Sequence, residues 1–118
     1  MPLFKKRTSL PSAGHAGDDQ LLTILATQHG PLEKPRHWVH YLYVADERAA
    51  REAERQISAA GWHIQRVDEA AKGTGWVVIA ERHDAKLSPE AVTEARRLFE
   101  GVAANVEGGD YDGWEASG

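Results

Sequence analysis

Residues 108–118 read GGDYDGWEASG, and the fold turns on whether they form structure or a tail. Glycines at 108, 109 and 113 are incompatible with a helix, while Tyr111 and Trp114 offer more apolar surface than a solvated tail uses. The segment is therefore either a last strand or a recognition segment. The elements before it distinguish the two.

Immediately upstream, residues 88–108 carry the clearest helix signal in the chain. Ser88 stands at the cap, Pro89 in the first turn where its missing N–H costs nothing, and Glu90 near the positive end of the helix dipole. Ala91, Val92, Ala95, Leu98, Phe99, Val102 and Ala103 make one apolar stripe at helical spacing. Before it, GWVVIAER (75–82) and WHIQRV (62–67) have strand composition. The glycine-containing loop DEAAKGTG between them suits an antiparallel hairpin.

Residues 46–61 form a second helix, with Asp46 near its start, Gly61 just past its end, and a stripe of Ala49, Ala50, Ala53, Ile57 and Ala60. HWVHYLYVA (37–45) is a strand with no plainly polar face, which predicts a central position in its sheet. Two prolines in PLEKPR separate it from a short first helix. That helix is capped by Asp18 or Asp19, faced by Leu21, Leu22, Leu25 and Ile24, and stopped at Gly30. Residues 1–17 read as a flexible arm and 18–118 as a single domain.

With the tail counted as a strand, residues 38–116 spell βαββαβ. The expected fold is α+β and ferredoxin-like: a four-stranded antiparallel sheet, two helices on one face, and an added N-terminal helix. Trp114 then packs from an edge strand.

A chain of 118 residues supports one hydrophobic core. It has no cysteine, which excludes disulfides, thiolate catalysis and cysteine-based metal sites. It has no apolar run long enough for a membrane span and no signal-like leader, so a cytoplasmic protein is expected and no membrane partner. The formal charge of −4 includes +3 from Lys5, Lys6 and Arg7 within residues 1–17, which leaves −7 on residues 18–118. An acidic body disfavours binding to a phosphate backbone.

Signatures of catalysis are absent: no G-x-S-x-G elbow and no phosphate-binding glycine loop. No enzyme activity, cofactor or metal is expected. His37 and His40 point to opposite faces if they lie on a strand, while His63 and His83 lie on other expected strands or at their ends. A ligand site joining His40, His63 and a tail aspartate is sterically conceivable and defines the alternative function, a small-molecule-binding domain. Tyr41, Tyr43 and Trp76 could form a platform for nucleotide bases, but the third strand lacks the basic-glycine-aromatic pattern of RNA-recognition motifs. An exposed aromatic sheet face more often meets a protein partner or a second copy of the same chain.

HYLYVADERAAREAERQISAAGWHI, then GWVVIAER, a long helix and GGDYDGWE resemble the regulator of ribonuclease activity B family, protein inhibitors of ribonuclease E. The resemblance covers about residues 18–116, and YDGWE is its most specific part. It implies a ferredoxin-like fold and a non-catalytic protein that binds another protein, ribonuclease E or an associated RNA-degradation factor. It also carries the family's acidic-Tyr-DGW motif onto Asp110, Tyr111, Asp112, Gly113 and Trp114, the candidate partner-binding residues.

Overall fold

The computed structural model describes residues 15–71 and 73–117. The elements run α1 (Ala16–Gln28), β1 (Arg36–Val44), α2 (Glu47–Ala59), β2 (His63–Glu69), β3 (Trp76–Ala85), α3 (Pro89–Asn105) and β4 (Asp110–Ala116). The four strands form one antiparallel sheet in the order β2-β3-β1-β4. With α2 and α3 as crossovers this is the expected α+β ferredoxin-like arrangement, β1 is central, and the tail is the edge strand β4.

Capping explains the helix starts. Asp46 accepts from the Ala49 N–H, and Ser88 accepts from the Ala91 N–H. The first helix starts earlier than expected, at Ala16. His15 caps it, its Nδ1 accepting from the Asp18 N–H, so Asp18 is freed from the cap position. The arm expected for residues 1–17 otherwise lies outside the described residues. Strand β3 runs on to Ala85, beyond the expected end at Arg82.

One sheet face carries the core. Trp38, His40, Leu42 and Val44 of β1 and Val78 and Ala80 of β3 lie beneath α2 and α3 and are all buried. Ala49, Ala50, Ala53 and Ile57 of α2 and Val92, Ala95, Phe99 and Val102 of α3 meet them, and small side chains on α2 permit close approach. Leu22 and Leu25 of α1 join this core, whereas Ile24 is exposed and Ala60 lies outside it.

The glycines of the tail have separate duties. A Cβ on Gly109 would sit 2.1 Å from the Ala103 carbonyl oxygen, so only glycine lets the chain turn out of α3 into β4. Gly113 has φ +100° beside a bulge, where β1 pairing passes from Tyr41↔Gly113 to Leu42↔Tyr111 and leaves Asp112 out of register.

Candidate functional site

The tail motif divides between the two sides of β4. Trp114 is 7% exposed on the core side, and its indole N–H donates to Asp18 Oδ1 at 2.8 Å. Asp18, itself buried, receives a bidentate pair from Arg96 of α3, at 2.7 and 2.9 Å. Burial pushes the Asp18 carboxyl up. The hydrogen bonds from Arg96 and Trp114 and the guanidinium charge outweigh this and hold it below its ordinary value. The pair therefore stays ionised and fastens α1 to α3 and β4.

Tyr111 is also turned to the core side. Its hydroxyl lies 2.7 Å from His40 Nδ1, and Arg96 lies over its ring at 4.9 Å. His40 stacks on Phe99 with ring centroids 4.3 Å apart and 10° between planes. Burial pushes His40 down to about 3, with Arg82 and Arg96 adding to the effect and Asp18 opposing it. His40 is thus a neutral core residue. Asp110 and Asp112 are exposed, and with Gly113 they form the solvent side of the motif.

Among the described residues, no helix lies over the other sheet face. Val39, Tyr41 and Tyr43 of β1 and Val77, Ile79 and Glu81 of β3 share it, paired Val39↔Glu81, Tyr41↔Ile79 and Tyr43↔Val77. Tyr43 is 36% exposed, and the Tyr41 hydroxyl donates to Glu115 of β4 at 3.0 Å. Trp76 is not part of this surface. It pairs with Val44 and packs toward the core, so the expected trio of Tyr41, Tyr43 and Trp76 is reduced to the two tyrosines.

Carboxylates border the tyrosines. Residues 98–118 contain Glu100, Glu107, Asp110, Asp112 and Glu115 and no Lys or Arg. Glu107, Asp110, Asp112 and Glu115 are exposed along the β4 side.

At the opposite end of this open face, three histidines surround one carboxylate. His37 Nε2 lies 2.6 Å from Glu81 Oε1, His63 Nδ1 lies 2.7 Å from Oε2, and His83 Nε2 lies 3.4 Å from Oε2. Gln65 donates to Oε1 at 2.7 Å. The hydrogen bond from His37, then those from Gln65 and His63, hold Glu81 down at about 2 against a desolvation penalty.

His40 and His63 do not come together. They lie on opposite sides of the sheet, so the expected ligand site joining them with a tail aspartate is not formed. His63 instead joins His37, Glu81 and His83. Sequence reading missed this cluster because strand register, bulged between Ile64 and Arg66, brings its members together. The Glu81-x-His83 spacing, which places both side chains on one strand face, was its only local signal. Two grooves flank α3, one by Tyr111 and Asp110, the other by Trp62 and Arg82; both are open to solvent and neither is lined by His40.

Fold and surface together describe a small α+β domain of the βαββαβ class, with a helix added at its start and one sheet face uncovered. The chain belongs to the family described as regulator of ribonuclease activity B, whose profile matches residues 15–116. A comparison with curated proteins finds no match.

Proposed function

We propose that this chain is a non-catalytic regulator that binds a protein partner across the open face of its sheet, the partner being ribonuclease E or another RNA-degradation component. Two tyrosines and Ile79 left uncovered beside a border of carboxylates carry this reading. Tyrosine supplies broad contact area at low entropic cost, and a basic partner segment gains from the Asp110, Asp112 and Glu115 edge. Family membership supplies the ribonuclease side of the proposal.

The partner docks on the face rather than adding a strand. Both sheet edges are interrupted by bulges, at Asp112 in β4 and between Ile64 and Arg66 in β2, and β2 is lined with charges. The acidic border makes the affinity fall as salt rises.

Binding of purified ribonuclease E by wild type, Tyr43→Ala and Asp110→Asn/Asp112→Asn tests the proposal. These side chains are exposed, so melting temperatures should stay near wild type while binding weakens in both variants. Undiminished binding by both would move the interface elsewhere, and no binding by wild type would remove ribonuclease E as the partner. Self-association abolished by Tyr43→Ala would assign the face to a homodimer instead.

A further inference from the structure

The histidine cluster on the open face has no part in the protein-binding proposal, and its donor set suits a metal ion. We infer that His37, Glu81 and His83, with His63 as a fourth donor, bind one divalent transition-metal ion of the zinc type. One donor atom from each of His37, Glu81 and His83 lies within 4.8 Å of the other two. A tetrahedral site with bonds of about 2.1 Å separates its donors by about 3.4 Å, so closing on an ion needs only small side-chain rotations.

Those rotations are available to the imidazoles. His63 and His83 are 69% and 65% exposed and His37 is 39% exposed, while Glu81 is held at 7%. The carboxylate is thus the fixed point and the imidazoles are the adjustable arms. His37 and His83 already stack at 4.6 Å with 4° between planes, both presenting Nε2 toward Glu81. Gln65 holds the carboxylate oxygen that faces His37, the supporting contact that metal-ligating carboxylates commonly have.

Imidazole nitrogen with one carboxylate selects zinc, copper or nickel over magnesium or calcium, which prefer all-oxygen sets. The donors come from three adjacent strands, β1, β3 and β2, so a bound ion also pins the sheet register at that end. A metal ion binds imidazole nitrogen only in its unprotonated form, so acid weakens binding.

The test uses the full chain without a histidine tag, stripped with chelator and titrated with Zn²⁺ by calorimetry. Co²⁺ absorption reports the coordination geometry. Wild type should bind one ion per chain, and cobalt should give tetrahedral visible bands. Both His83→Ala and Glu81→Gln should weaken binding by roughly tenfold or more. His83 is exposed, so its variant keeps the fold, and His29→Ala, a histidine outside the cluster, should bind as wild type does. No saturable binding by wild type would overturn the inference. So would affinity unchanged in His83→Ala, or affinity lost in His29→Ala.

Discussion

His40 shows how a single residue changes meaning once its side of the strand is known. In sequence it sits three residues from His37 and invites a ligand role; in the structure it is sealed between Phe99, Trp62, Trp38 and Tyr111. Its Nε2 has no hydrogen-bond partner among the described residues, so charging the ring brings no new contact to offset desolvation. With the folded value near 3 and an ordinary value of 6.5, the unfolded chain takes up a proton first as pH falls. Stability is therefore full above pH 6.5 and is lost toward pH 3, at a slope approaching about 1.4 kcal/mol per pH unit. His40→Phe keeps the aromatic stack and removes the titration. Urea denaturation across pH 7 to 4 should show wild type losing stability faster than the variant by that slope, whereas parallel curves would contradict a neutral buried histidine.

At the scale of elements, Leu22 and Leu25 bury α1 in the core and polar contacts fasten its two ends. Its start is fixed by Asp18 to Arg96 and Trp114. Its end is fixed by buried Arg36, which donates to the His29, Gly30 and Pro31 carbonyls and to that of Ser117 after β4. Asp18→Ala leaves the buried Trp114 N–H without its acceptor and Arg96 with Glu100 alone, so it should cost about 1–3 kcal/mol in urea denaturation. It should also raise hydrogen exchange in α1 before α2 or α3. Replacing both charges, as Asp18→Leu with Arg96→Met, should recover most of that loss. If the single variant melts like wild type, the ion pair does not hold α1.

The elements that sequence reading located well are those whose ends carry their own chemistry: Asp46 and Ser88 at caps, Gly61 past a helix, Gly109 in a turn too tight for a Cβ. The start of α1 was hidden because histidine is not a customary cap. The face of each strand was harder to read. Neither side of HWVHYLYVA is polar, so nothing local showed that Trp38 and His40 go under the helices while Tyr41 and Tyr43 go outside. Trp76 was assigned to the open face for the same reason, and the Glu81 cluster depends on pairing between strands that no single segment encodes.

Among the described residues, two crossover helices and α1 cover one face of the sheet and no helix covers the other. The uncovered face combines tyrosines, a carboxylate edge and a histidine-ringed glutamate, and the DYDGW motif contributes to both sides. Trp114 and Tyr111 build the core, while Asp110, Asp112 and Gly113 face solvent. The family match spans nearly all the described residues. Amide chemical-shift mapping during titration with purified ribonuclease E tests the proposed interface most directly. Shifts should concentrate at Tyr41, Tyr43, Ile79 and residues 110–115, fade as salt is raised, and spare the outer surfaces of α2 and α3. Shifts confined to those helices, with the open face unmoved, would contradict recognition through the sheet.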